Sequence, residues 1–138
     1  MRSLLRRLKM PLLYVMGLFY ITAGVTHFLN PEWFLQIVPP FLPAPLALVY
    51  LSGVAEIVVG VGVLIPQTRH YAALATVALL VAVYPANIYM AVGDVMGSEL
   101  VQWGRLPLQG VLVAWALWYT ESGDDDPTAS PTVGERAD

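Results

Sequence analysis

Residues 46–65 read LALVYLSGVAEIVVGVGVLI, and the fold turns on this stretch. A helix of that length, at 1.5 Å per residue, covers the roughly 30 Å hydrocarbon core of a bilayer. Its only charged residue is Glu56, eleventh of the twenty and so near the bilayer midplane. Three more stretches share this character, at residues 10–29, 71–91 and 100–119. The last is the most polar, interrupted by Gln102, Arg105 and Gln109. Pro107 is expected in a first helical turn there, where a missing N–H costs nothing. The apolar part, 106–119, is short for a full crossing, so shelter by neighbouring helices or a preceding re-entrant piece is expected. These spacings predict an all-α protein: a transmembrane four-helix bundle with a short interfacial helix in its first external loop.

Composition agrees. Of 138 residues, 57% are hydrophobic and 12% charged, against about 25% charged in ordinary soluble domains. Mean hydropathy is +0.64. Too little polar material is present to clothe a soluble core. The net charge of −3 comes from the C-terminus, where Glu121, Asp124, Asp125, Asp126, Glu135 and Asp138 face Arg136 alone. That segment, 121–138, is rich in Asp, Pro, Ser and Thr and reads as a disordered acidic tail. No basic tract with interleaved aromatics exists, which argues against nucleic acid. Cysteine is absent, excluding disulfides, thiolate metal sites and cysteine nucleophiles. With only His27 and His70 besides, no metal site is expected.

Arg2, Arg6, Arg7 and Lys9 form a basic arm over residues 1–9. The apolar stretch after it is longer than a signal-peptide core and lacks a small-x-small cleavage site, so it reads as a retained helix. Four basic residues in the arm and Arg69 in the 66–70 loop, against none in 30–45 and only Arg105 in the second external connection, place both termini in the cytoplasm. Trp33, Tyr89 and Trp103 would then sit near the outer interface, and Tyr14, Tyr71, Trp118 and Tyr119 near the inner one. In the loop 30–45, Asn30 is placed to cap, Pro31 to begin and Glu32 to stabilise a short helix running to Val38, before Pro39-Pro40 stops it. Its residues Trp33, Phe34, Leu35, Ile37 and Val38 suit the membrane interface.

In a bilayer protein the informative residues are the polar ones that cost energy to insert. Glu56 costs on the order of 3 kcal/mol at the midplane. Gly53, Glu56 and Gly60 share one face, with Ser52 a turn above, and the glycines admit a neighbouring helix closely. Glu56 reads either as a protonatable, ligand-binding carboxylate or as a structural group paired to Arg105 or to a Tyr or Asn. Arg105 and Gln109 lie one turn apart at the outer end of the fourth stretch; Arg105 alone would read as snorkelling. His27 stands at the outer end of the first stretch, as a ligand or an interfacial hydrogen-bonder. Tyr84, Pro85 and Asn87 cluster in the third; Pro85 frees the Val81 carbonyl, which Asn87 or a water would satisfy. Alternating topology brings His27, Asn87, Arg105 and Gln109 to the outer half with Glu56 beneath them. A polar-floored pocket opening outward is expected, lidded by Trp33 and Phe34.

The stretches GLFYITAGVTHFLNPEWFLQIVPPFLP (17–43), LVYLSGVAEIVVGVGVLIPQTR (48–69), PANIYMA (85–91) and RLPLQGVLVAWALWYT (105–120) resemble the DoxX-like family of small four-helix membrane proteins. The resemblance covers about residues 11 to 120. Named relatives are associated with a thiosulfate:quinone oxidoreductase and with membrane complexes that handle oxidative or thiol stress. It implies a quinone-proximal or redox-accessory role and assigns no catalytic residues. Lack of cysteine argues against thiol exchange by this chain.

Three functions follow as expectations. The first is an accessory or anchoring subunit of a redox system rather than an enzyme on its own, with a quinone as its cofactor and a membrane or peripheral oxidoreductase as its partner. Glu56 and Arg105 would floor its pocket, and His27 and Asn87 would bond a quinone carbonyl. The second is a small proton-coupled transporter using Glu56; no internal repeat is visible, so a homo-oligomer would supply the second half. The third is a membrane scaffold whose polar groups only pack helices.

Overall fold

The computed structural model of the chain describes residues 1–95 and 97–120; the expected acidic tail, 121–138, lies outside them. All regular structure among the described residues is helical: α1 (Arg2–Leu29), α2 (Pro31–Leu35), α3 (Pro45–Leu64), α4 (Arg69–Val92) and α5 (Glu99–Leu117). Three of these, α1, α3 and α4, are long and apolar enough to cross a membrane, with mean hydropathies of 1.6, 2.1 and 1.7. Their outward faces carry Leu18, Leu51, Val58, Val81 and Val92, all more than half exposed. Such faces are costly in water and compatible with lipid. The chain is a membrane protein.

The helix starts differ from expectation in instructive ways. The basic arm is not separate: α1 begins at Arg2 and continues through Pro11, because Leu, Arg and Lys are all good helix formers and nothing before Pro11 breaks the run. Pro107 lies inside α5, not in its first turn, because the helix starts at Glu99. Gln102, Gln109 and Ala116 form the buried face of α5, so its polar groups turn inward. The α3–α4 connection is short, and its side chains close the end of α3. The Thr68 hydroxyl donates to the Gly62 carbonyl at 2.8 Å and Arg69 Nε donates to the Val63 carbonyl at 2.9 Å. Those carbonyls have no partner within the helix.

Packing runs in series, α1 on α3, α3 on α4, α4 on α5. The α1–α3 contact is the closest. A methyl group on Gly24 would come within 2.5 Å of the Gly53 carbonyl oxygen, and one on Gly60 within 2.8 Å of the Gly17 carbonyl oxygen. Gly17 pairs with Gly60 and Gly24 with Gly53, which fixes the two helices as antiparallel and brings their backbones into contact. At the end of the molecule near Lys9, a core of Leu13, Met16, Tyr20, Val59, Val63, Ala73, Ala116 and Tyr119 joins all four long helices. The Tyr119 hydroxyl donates to the Lys9 carbonyl at 2.8 Å and ties the start of α1 to the residues after α5.

Adding one methyl group tests this arrangement. Gly24→Ala and Gly53→Ala should each destabilise the protein by about 1–3 kcal/mol through overpacking. Gly104 and Gly110 have nothing within 4 Å of a built Cβ, so Ala there should be neutral or slightly stabilising. Thermal unfolding in detergent reads the difference; equal melting temperatures for all four variants would contradict the glycine contact.

Candidate functional site

At the opposite end from Lys9 the helices enclose a cavity of about 490 Å³, within the range of small-molecule pockets. Helical spacing decides what each helix contributes. Tyr20, Ala23 and His27 form one face of α1, and Ser52 and Glu56 one face of α3. Leu80, Val83 and Asn87 come from α4, while Arg105, Gln109 and Leu112 come from α5. Above them lie Trp33 and Phe34 of α2 and the chain that follows it.

Glu56 meets His27, not Arg105. His27 Nδ1 lies 2.8 Å from the Ala23 carbonyl oxygen and 3.2 Å from Glu56 Oε2. A carbonyl can only accept, so Nδ1 carries a proton directed at Ala23. The carboxyl oxygen is therefore within ion-pair distance yet receives no hydrogen bond, and Oε2 is buried without a hydrogen-bond partner. The cause lies in the helix contact: Glu56 sits between Gly53 and Gly60, and a methyl group on Gly53 would touch His27 Cβ. A second buried atom shares this condition. Tyr20 is 3% exposed and its hydroxyl has no partner. Both Tyr20 and Glu56 line the cavity.

Arg105 instead stacks its guanidinium over the Trp33 ring, 5.5 Å from the centroid, a cation–π contact that ties α2 to α5. Phe34 stacks on the His27 ring at 3.7 Å and 20°, and Trp33 meets Phe34 edge-on. The two aromatics thus cover the His27–Glu56 pair. The helix beneath them is shorter than expected. It ends at Leu35, with turns to Val38, and Asn30 makes no side-chain capping bond. Asn30 is also the C-cap of α1, where its backbone N–H donates to the Thr26 carbonyl, and one residue ends one helix while beginning the next.

Asn87 does not bond the Val81 carbonyl. Its amide donates to Gln109 Oε1, and Gln109 Nε2 in turn donates to the Leu80 carbonyl. These two amides join α4 to α5 along the cavity wall on either side of Pro85, and α4 runs through that proline unbroken. Gln102 makes a similar tie nearer the connection, donating to Asp94 Oδ1 at 2.9 Å. Tyr84 is not part of the site: it does not line the cavity and is 38% exposed. Among the described residues no group of three His, Cys, Asp or Glu could hold a metal.

Seven of the eight residues picked from sequence line one cavity: Glu56, Arg105, His27, Asn87, Gln109, Trp33 and Phe34. Tyr20 was missed, although its signal was present, since it precedes His27 by seven residues on the same helix face. The site combines a carboxyl oxygen and a phenol hydroxyl, both unsatisfied, with an imidazole and a flat aromatic cover. Such a set offers a hydrogen-bond donor, an acceptor and a flat apolar wall.

No curated protein and no solved structure matches the chain. A family described as a domain of unknown function (DUF8561) matches residues 16–120, which include every cavity-lining residue. The chain belongs to this DUF8561 family.

Proposed function

We propose that this protein is a DoxX-like, four-span protein of the cytoplasmic membrane that holds a quinone in its outward-facing cavity, as an accessory or anchoring subunit of a membrane redox system. The observation that carries this is that two buried oxygens without a hydrogen-bond partner, Tyr20 Oη and Glu56 Oε2, belong to residues lining one aromatic-covered cavity. Buried polar groups are almost always satisfied, and Tyr20 and Glu56 both line this cavity, which supports a ligand with complementary oxygens. The Tyr20 hydroxyl donates to a quinone carbonyl, Glu56 accepts from a quinol hydroxyl, and Trp33 and Phe34 cover the ring.

In this proposal α5 is the fourth span. Its 19 residues reach roughly 28 Å, and its inward glutamines leave Leu100, Val101, Trp103, Leu108 and Val111 facing outward. The short α2 lies in the outer interface, where Trp33 and Arg105 suit the head-group region. Lys9 and Arg69 at the other end, with Arg2, Arg6 and Arg7, put both termini in the cytoplasm. In this proposal the oxidation or reduction itself belongs to a partner oxidoreductase. A second reading is a proton-coupled carrier, favoured by the close His27–Glu56 pair, which would work alone or as a homo-oligomer in liposomes.

Quinone content separates the two. Protein purified in mild detergent should carry near-stoichiometric quinone. The Tyr20→Phe, Glu56→Gln double variant should lose at least about tenfold, the equivalent of one buried hydrogen bond. No quinone in either protein, with proton-coupled flux by the chain alone, would transfer the site to a carrier. Topology has its own test: Ser130→Cys, the sole cysteine, should resist impermeant thiol reagents in intact cells, and labelling there would overturn the inside assignment.

A further inference from the structure

The helix packing is an open series, not a closed ring. No Cα of α1 lies within 8 Å of a Cα of α5. Near Lys9 this seam is sealed by side chains, where Met16, Ala116 and Tyr119 share the core and Tyr119 bonds the Lys9 carbonyl. Further up, Phe19 on α1 and Leu108 on α5 both line the cavity, yet they are 47% and 53% exposed, more than Leu42 of the loop after α2 at 38%. A side chain that lines a cavity and also faces outward marks where that cavity reaches the surface. The top is better covered, since Arg105 holds Trp33 and His27 holds Phe34.

We propose that the cavity opens sideways into the bilayer between α1 and α5, at Phe19 and Leu108, and that its ligand is a long-tailed lipid whose tail leaves through this seam. This rests on the proposed membrane span of α5 and on the cavity being a ligand site. A polar head reaches Tyr20 and Glu56, while the tail passes Phe19 and Leu108 into surroundings as apolar as itself. A tail in that position leaves no charge or hydrogen bond unmet and stays in surroundings as apolar as the bilayer it came from. A soluble, tail-less solute gains nothing from a lipid-facing opening. The substrate class is therefore an amphiphile drawn from the membrane, with an isoprenoid or alkyl chain, and not a solute from the aqueous side.

The lack of native cysteine makes this testable. Ser52 lines the cavity, so Ser52→Cys in the full chain, in lipid nanodiscs, reports what reaches the interior. The probes are a maleimide carried on a long alkyl chain and a charged, membrane-impermeant maleimide. The alkyl reagent should modify this cysteine, and adding Phe19→Trp with Leu108→Trp should slow it about tenfold while leaving the charged reagent unaffected. Leu18→Trp, on the lipid face away from the cavity, should change neither rate. If the paired tryptophans prevent folding, Leu108→Trp alone carries the same expectation. An alkyl rate indifferent to the tryptophans would overturn the lateral opening, as would equal slowing of both reagents. Disulfide-linked dimers of Phe19→Cys in native membranes would also overturn it, by showing a second copy over the seam. These outcomes are independent of quinone. Quinone retained with no lateral route would leave the pocket and remove only the opening; a lateral route with no quinone would leave a tailed ligand of different head chemistry.

Discussion

The backbone contact between α1 and α3 is the constraint from which the site follows. Gly17 against Gly60 and Gly24 against Gly53 let two helices approach until carbonyl oxygens occupy the space where methyl groups would stand. In a bilayer the hydrophobic effect gives helices little reason to associate, since lipid tails are as apolar as leucine; close van der Waals packing supplies that reason. The register set by these two contacts decides which polar residues meet. Glu56 lies between Gly53 and Gly60, and His27 lies one turn beyond Gly24, so the approach that joins the glycines also brings the carboxylate beside the imidazole. A bulkier seam would separate the helices and leave Glu56 without its neighbour.

The second half of the molecule is joined differently. Beside the apolar core shared by Ala73 and Ala116, α4 and α5 are joined by amides, Asn87 to Gln109 and Gln109 to the Leu80 carbonyl, while Gln102 bonds Asp94 just past α4. Each such bond is modest in a membrane, about 0.6 kcal/mol on average, but together they satisfy polar groups that could not face lipid. The division has a consequence. Asn87 and Gln109 bond each other across the helices, whereas Glu56 Oε2 and Tyr20 Oη, on residues that line the same cavity, have no hydrogen-bond partner.

Much of this was readable in the residues. The apolar stretches at 46–65 and 71–91 correspond to α3 and α4 within two residues at each end, because uninterrupted apolar runs leave the helix little choice of extent. Depth along the spans alone groups Glu56, His27, Asn87, Arg105 and Gln109. Partners were not readable in the same way. Arg105 suits Glu56 by charge, but a one-dimensional depth does not say which helix faces which. Arg105 sits on the side of Trp33, and His27 on the side of Glu56. The Gly17–Gly24 spacing matches Gly53–Gly60, a correspondence that identifies α1 as the close neighbour once the two pairs are compared. Tyr84 was misplaced for a related reason: sharing a depth with Asn87 does not put it on the same face. Residues 121–138 lie outside the described structure, and their acidic composition is known from sequence alone.

The central claim is that Tyr20 and Glu56 hold a small molecule of the membrane. Native mass spectrometry of the protein released from its own membranes into the gas phase tests it most directly. Wild-type protein should carry a single small adduct with the mass of a tailed lipid such as a quinone, and Tyr20→Phe with Glu56→Gln should abolish that adduct while keeping the protein folded. A wild-type chain of unadorned mass, or an adduct that persists unchanged in the double variant, would contradict the account.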